Sequence, residues 1–343
     1  MNAEDWLQYT GVARPSPGCA IEIAPGVHQV RMPLPFALDH INLWLLEDDG
    51  AWVLIDTGLG NDATRALWEQ LISKVIRGRP VSRILVTHHH PDHVGNAGWL
   101  MKRMGAPLWM SQSEYLTAHA LCDEAAGHSR DGMQQMFLRN GLGGDFAAKL
   151  FGRRNPYRDR VPDFPSGYRR LLDGEQVRIG GRDWRVVMGY GHAPEHAALY
   201  SESLGVLISG DMVLPRISTN VSVPPSQPEG NPLKLFLQSI DRYAQLPAAT
   251  LVLPSHGDPF RGLRERVAQL QEHHRLRLGE LLAVCDAPKA AAEVLTTLFR
   301  RPLDTHQTFF AMGEAMAHLH YLHEQGRVSR SIDASGVARY TRA

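Results

Sequence analysis

Short apolar runs bounded by turn residues set the rhythm of the chain after its first stretch. Residues 27–32, 41–46 and 52–56 predict three successive strands. Residues 62–77 change to helical spacing, with Leu67, Leu71, Ile72 and Val75 on one face. A strand at 84–87, a helix from about His93 to Met104 and a strand at 107–110 follow. Residues 1–25, polar and punctuated by proline, predict an arm packed on the body. No internal repeat or low-complexity tract interrupts this order.

Residues 111–168 break the alternation. Met133, Met136 and Phe137 recur at helical spacing beside Gly141-Leu142-Gly143-Gly144 and a basic stretch, Arg153-Arg154-Asn155-Pro156-Tyr157-Arg158, which predicts a helical insertion between sheet elements. Strand patterns return at Gln176–Ile179, 184–188, 197–200, 206–209 and 250–254, with a proline-rich loop at 222–232. From 263 to 285 the pattern is one long helix, with Leu278, Leu281, Leu282 and Cys285 on a single stripe. Helical segments near 289–299 and 305–325 end at Gly326, where a helix C′ glycine is expected. Residues 328–340, with Gly336 near the middle, predict a two-stranded ribbon. Three helices and a ribbon suggest a small winged-helix-like domain at 263–343, after a main domain at 1–262.

Composition narrows this picture little. The 343 residues are 43% hydrophobic and 21% charged, which suits a globular chain of one large and one smaller domain. Lys+Arg and Asp+Glu balance at 36 each, so no global field draws in nucleic acid or an anionic membrane. Cys19, Cys122 and Cys285 lie far apart, which argues against a disulfide framework and a thiolate metal site. The first residues carry acids and no apolar core of a signal peptide, and no apolar run reaches the eighteen or so residues of a membrane span. A soluble cytoplasmic protein is expected.

Histidine does change the picture. The chain has 17, and their clustering matters more than their number. In Thr87-His88-His89-His90-Pro91-Asp92-His93, an arriving strand would turn His88 and His90 to one side, because extended chain alternates faces. Pro91 ends regular pairing, and Asp92 and His93 turn back at the start of the next helix. Four ligand-type side chains converge from six residues. Gly191-His192, Gly210-Asp211 and Ser255-His256 each follow a predicted strand end, where sheet proteins gather functional groups. His88, His90, Asp92, His93, His192, Asp211 and His256 are therefore the expected ligands of two adjacent metals, with Asp211 as the carboxylate between them. Neutral imidazoles and carboxylates suit zinc, with iron or manganese as alternatives.

His89 is expected to face away from the site, and His196 to support or pack rather than bind. Asp56, in Ile55-Asp56-Thr57-Gly58, is expected to orient a ligating imidazole, since such rings usually donate their second N–H to a carboxylate or carbonyl. The eight histidines at 119, 128, 273, 274, 306, 318, 320 and 323 lack matching spacing and are expected to be solvated or packed.

Asp56-Thr57-Gly58, the His88–His93 segment, Gly191-His192, Asp211 and His256 together resemble the five motifs of the metallo-β-lactamase superfamily in their usual order, over about residues 25–260. The resemblance implies an α/β fold, a four-layer αββα sandwich with two metals at one edge between the sheets. Asp211, absent from the true β-lactamases, places the chain nearer the glyoxalase II, lactonase and nuclease branches. His318-Leu319, Leu322 and Glu324-Gln325-Gly326-Arg327-Val328 resemble the helix and turn before the wing in the β-lactamase-like protein 2 group, whose members append a winged helix to this hydrolase domain. The chain departs from that group in its longer stretch between His93 and His192, which puts the group's RNA substrate in doubt here.

Two metals about 3.5–4 Å apart can hold a bridging hydroxide that attacks an ester, thioester, lactone or phosphodiester, with Asp92 orienting it and relaying its proton. Hydrolysis of a small acyl compound is the first expectation. An endonuclease using Arg153, Arg154, Arg158 and Arg160 against phosphates is the second, and a vestigial site carrying a regulatory module the third. The charge balance argues against nucleic acid without excluding it, and a homo-oligomer stays open. The insertion is expected to form a lid, with Gly141, Gly143 and Gly144 as hinges and Met133, Met136, Phe137 and Phe146 lining an apolar pocket. Arg153, Arg154 and Tyr157 would then grip an anionic distal end of the substrate. Replacing Arg153 and Arg154 by alanine is expected to raise KM for an anionic thioester and leave metal content intact; unchanged kcat and KM on every active substrate would remove them from the site.

Overall fold

The computed structural model describes residues 6–151 and 155–343, so Arg153 and Arg154 lie outside the described residues. Two seven-stranded sheets stack face to face. The first runs Ala20–Ala24, Val27–Pro33, His40–Asp48, Ala51–Ile55, Val81–Leu85, Leu108–Met110 and Arg169–Arg170 in spatial order. It starts as an antiparallel meander and turns parallel from Ala51–Ile55 onward. The second runs Gln8–Tyr9, Phe260–Arg261, Leu251–Pro254, Val206–Gly210, His196–Ser201, Arg182–Gly189 and Gln176–Ile179, with one parallel pair, Val206–Gly210 beside Leu251–Pro254. The strands expected from the apolar runs are all present.

Why a sandwich forms is visible in one strand. Along His40–Asp48, Leu43 and Leu45 point outward into a core with Trp68 and Leu71 of the helix Asp62–Leu71. Trp44 and Leu46 point the other way, against Trp184, Val186 and Leu199 of the second sheet. Period-two alternation with both faces apolar requires cover on both sides, which is why the strand reads as a continuous apolar run. The outer face of the second sheet is covered by the helices Pro232–Ala244, Leu263–Val284 and Thr305–Glu324. The layers are therefore helix, sheet, sheet and helix.

Three details depart from the periodicity reading. The first stretch is woven into the sheets rather than laid on them, because Gln8–Tyr9 pairs with Phe260–Arg261 and Ala20–Ala24 with Val27–Pro33. The helix expected from about His93 is two helices, Pro91–Val94 and Ala97–Met104. Asn96 sits at the break, its side-chain amide donating to Leu59 O at 2.7 Å and its backbone N–H to Thr57 Oγ1 at 3.1 Å. Within the insertion, helices Gln112–Cys122, Arg130–Arg139, Gly144–Phe151 and Pro156–Arg160 form as expected. Met136 and Phe137, however, are buried in the same core as the C-terminal helices, and the Phe137 ring meets Phe309 edge-on at 5.7 Å. They fasten the insertion down instead of lining a pocket, because burial against a second helix layer outweighs exposure in a cleft.

The chain past residue 262 carries the helices Leu263–Val284, Leu295–Leu298 and Thr305–Glu324, then the hairpin Val328–Ile332 with Ala338–Arg342. Its buried residues Leu281, Leu319 and Tyr340 share one apolar cluster with Phe236, Leu207 and Val252. No gap in the core separates it from the second sheet.

The two sheets are also tied by hydrogen bonds at one edge. Asn42 is fully buried; its backbone N–H donates to Ser255 O at 2.7 Å, and its side-chain amide to Pro254 O at 2.9 Å and Gly257 O at 2.6 Å. Ala197 N–H donates to Thr87 O at 2.8 Å. Asn42→Ala removes side-chain bonds to the buried Pro254 O and the part-buried Gly257 O and is expected to cost about 1–3 kcal/mol in denaturant unfolding. Wild-type stability in that variant would show that the tie carries no weight.

Candidate metal centre

The strand Val81–Leu85 delivers the chain to the tied edge, and Val86 N–H still donates to Trp109 O at 3.0 Å. His88 and His90 follow in extended chain, and Pro91 starts the short helix that turns Asp92 and His93 back. From the second sheet, His192 lies between Arg182–Gly189 and His196–Ser201, Asp211 follows Val206–Gly210, and His256 follows Leu251–Pro254. Seven side chains from four separate stretches of the chain thus meet at one end of the sandwich.

They meet as two groups that could each hold a metal ion: His88, His90, His192 and Asp211, and Asp92, His93 and His256. In the first, His88 Nε2 lies 2.9 Å from His90 Nδ1 and 3.2 Å from His192 Nε2. In the second, Asp92 Oδ2 lies 3.4 Å from His256 Nε2 and 3.8 Å from His93 Nε2. Asp211 spans both. Its Oδ2 is 3.5 Å from His192 Nε2 and 3.5 Å from His93 Nε2, while Oδ1 is 3.4 Å from His256 Nε2.

Outer hydrogen bonds decide which ring nitrogen faces inward. His93 Nδ1 donates to Asp56 Oδ2 at 2.8 Å, His192 Nδ1 to Asn220 O at 2.7 Å and His256 Nδ1 to His40 O at 2.7 Å. His88 Nδ1 lies 3.0 Å from Thr87 Oγ1, whose hydroxyl in turn reaches Asp56 Oδ2 at 2.9 Å. Each of these four rings therefore aims an Nε2 lone pair at the centre. Lone pairs cannot satisfy one another, and His93 Nε2 and Asp211 Oδ1 are buried without a hydrogen-bond partner. Divalent cations fit this donor set: imidazole nitrogens and carboxylate oxygens with nothing else to bind.

The electrostatics agree. Burial, reinforced by neighbouring imidazoles, pushes His88 and His90 well below the usual histidine range, so both stay neutral donors. Burial also opposes a charge on His93, but Asp211, Asp56 and Asp92 outweigh it and raise its pKa well above the usual value. Burial works against ionisation of Asp211, yet His256 and His93 hold its carboxyl well below the ordinary range. A buried carboxylate surrounded by imidazoles is a cavity tuned for positive charge.

Residues 37–256 match the family profile described as Metallo-beta-lactamase superfamily, and residues 278–343 match that of the Metallo-beta-lactamase-like, C-terminal domain. The chain belongs to the metallo-β-lactamase superfamily. A crystal structure of a beta-lactamase domain protein from Burkholderia ambifaria superposes with a TM-score of 0.93 at 48% identity, covering 100% of both chains. The probable metallo-hydrolase YqjP of Bacillus subtilis is 26% identical over 316 residues, 90% of this chain and 95% of that protein. An atrochrysone carboxyl ACP thioesterase of Aspergillus fumigatus is 24% identical over 295 residues, 81% of this chain and 75% of that protein. Membership of the superfamily makes the chain a metallo-hydrolase by descent and implies divalent metal ions. No helix among the described residues is long and apolar enough to cross a membrane.

Other sequence-predicted residues are placed as follows. Asp56 sits behind His93 and accepts from Thr87 N–H at 2.7 Å. His196 Nε2 accepts from Asp211 N–H at 3.1 Å, supporting the carboxylate from outside. His89 turns away, and its Nδ1 and backbone N–H both meet Glu114 Oε2, at 2.5 and 2.9 Å. Tyr157 lies on the back of this turn, with its hydroxyl donating to His89 O at 2.6 Å and its ring packed on the core of the first sheet, so it braces the motif rather than reaching outward to a substrate. Glu114, His40, Thr87 and Asn220 escaped the sequence reading. Each works through a partner distant in sequence or through its backbone carbonyl, and neither leaves a spacing signal.

Asp211→Ala removes the one group shared by both halves, and elemental analysis after dialysis is expected to show metal lost; full occupancy would end its bridging assignment. Asp56→Ala is expected to keep metal but weaken its affinity roughly 10–100-fold in chelator competition.

Proposed function

We propose that the seven side chains hold two divalent ions, with zinc expected and iron or manganese as alternatives, and that the centre hydrolyses a small acyl compound: a thioester, ester or lactone. The observation that carries this reading is Asp211, whose Oδ2 lies between His192 of one half and His93 of the other while Oδ1 meets His256. Two ions held there would act as Lewis acids and bring the pKa of bound water down to about 7.

The chain's own residues supply position and proton handling. Asp92 is the most open of the carboxylates, with its side chain 20% exposed, so it can take a proton from the attacking water and pass it toward the leaving group. His88, His93, His192 and His256 keep fixed tautomers because their outer nitrogens are already committed. Water activation needs no cysteine: Cys122 and Cys285 are buried and Cys19 is exposed, and none belongs to the cluster.

Support for an acyl substrate comes from the surroundings of Asp92. Arg160, close enough to feel the Asp92 charge, lies with its guanidinium 4.9 Å from the centre of the Phe36 ring. His306 stacks on Phe36 at 5.5 Å and meets Phe310, which is 39% exposed. Apolar rings beside one cation suit an acyl chain bearing an anionic or polar carrier, and the relative named as a thioesterase supports the same reading. A phosphodiester substrate is the competing reading.

The test is a hydrolysis screen of zinc- or manganese-loaded protein against acyl thioesters, lactones and a labelled RNA. Thioester turnover that falls about 10²–10⁴-fold in Asp92→Asn is the expected result. Cleavage of RNA alone would replace the acyl reading with a nuclease.

A further inference from the structure

The segment between Asp211 and the helix Pro232–Ala244 touches the metal cluster at three points. Thr219, buried, donates its hydroxyl to Asp211 O at 2.5 Å. Asn220 O takes the Nδ1 proton of His192 at 2.7 Å. Pro215 packs so close to Gly257, the residue after His256, that a Cβ on Gly257 would fall 2.5 Å from its ring. Three of the seven cluster residues, Asp211, His192 and His256, thus take part of their placement from one irregular stretch.

Irregular backbone does not hold itself to a few tenths of an ångström; something must fix it. Two helices beyond residue 262 do so. From Leu263–Val284, the buried Arg266 donates Nε to Leu214 O at 2.6 Å and Nη2 to Ile217 O at 2.8 Å. From Thr305–Glu324, Gly313 O accepts from Val223 N–H at 3.4 Å. A Cβ at Gly313 would lie 2.4 Å from Ser222 Oγ and 2.6 Å from Ser222 Cβ, so only glycine permits this approach. Ser222 Oγ donates to Asn220 Oδ1 at 2.7 Å, which passes the constraint to the residue that orients His192. Glu314, next to Gly313, faces the Asn220 side chain. Val221 and Val223 are buried in one cluster with Met312 and Met316.

We infer that the C-terminal helices are a positioning element of the metal centre: Arg266 and Gly313 clamp residues 214–223, and that segment sets Asp211 and His192 for metal binding. The inference rests on the reading of the cluster as a two-metal site. It gives the C-terminal region a role in the chemistry without a ligand of its own, since a shift of the clamped segment moves the bridging carboxylate and one terminal imidazole together.

The experiment compares metal affinity in the full-length protein by chelator competition, with the visible spectrum of the Co²⁺ form and the melting temperature of the metal-free form. The variants are Gly313→Ala and Arg266→Met, the latter keeping the apolar stem while removing both hydrogen bonds. Each is expected to weaken binding of at least one ion by about 10–100-fold and to alter the Co²⁺ bands, at temperatures where the metal-free protein stays folded. Folded variants that bind both ions as tightly as wild type would overturn the inference. If a clamp variant fails to fold, Thr219→Val decides: it leaves the clamp intact and removes only the bond to Asp211 O, and wild-type affinity there overturns the inference. Wild-type protein that takes up no metal would instead overturn the two-metal reading on which the inference stands.

Discussion

Nitrogen lone pairs aimed at one another in a buried space are the interaction around which this molecule is arranged. Four imidazoles present Nε2 to the centre because their Nδ1 protons are already given away, to Asp56, Thr87, Asn220 O and His40 O. Asp211 adds a buried carboxylate whose Oδ1 has no hydrogen-bond donor. Without positive charge such a cluster is costly, because each polar group has surrendered water for nothing. Divalent ions, which membership of the superfamily implies, would turn that cost into binding free energy.

Two backbone positions beside the cluster hold conformations that most residues avoid. Asp56 holds a left-handed conformation, φ 63°, which few residue types tolerate, and its carboxylate spans three hydrogen bonds while it does so. Gly210, φ 53°, allows His196 to lie directly beneath Asp211; a Cβ there would fall 2.2 Å from His196 Nε2. Unfavourable local geometry survives because the sandwich on either side is densely buried and tied across its edge by Asn42 and Thr87. Rigid sheets supply the strand ends, and the loops between them carry the chemistry.

The outer helix layer has two tasks at once. It covers the apolar face of the second sheet, as any sandwich of this kind requires. By reaching the 214–223 segment through Arg266 and Gly313 it also stands one contact away from the cluster. At the start of Thr305–Glu324, His306 stacks on Phe36 and meets Phe310 edge-on. Cover for the second sheet and the hold on the 214–223 segment are therefore carried by the same helices, which leaves the C-terminal region little freedom to act independently.

Local chemistry made much of this legible from the amino-acid order. Strands buried on both faces leave apolar runs, so the strands could be read in advance, and histidines and aspartates just past predicted strand ends marked all seven cluster residues; the four-layer sandwich followed from the resemblance of those motifs to a known family. Asp56 was readable because it closes a strand of its own. The linear order was silent where a role passes through space. Glu114 meets His89 across 25 positions, and His40 and Asn220 act through backbone carbonyls, which every residue has. Met136 and Phe137 show the same limit from the other side: helical apolar spacing says that a face will be buried, but only the packing of the C-terminal helices decided against what. Periodicity is a property of neighbours along the chain; partner choice depends on which surfaces the completed sheets bring together, and that was settled only by the tertiary structure.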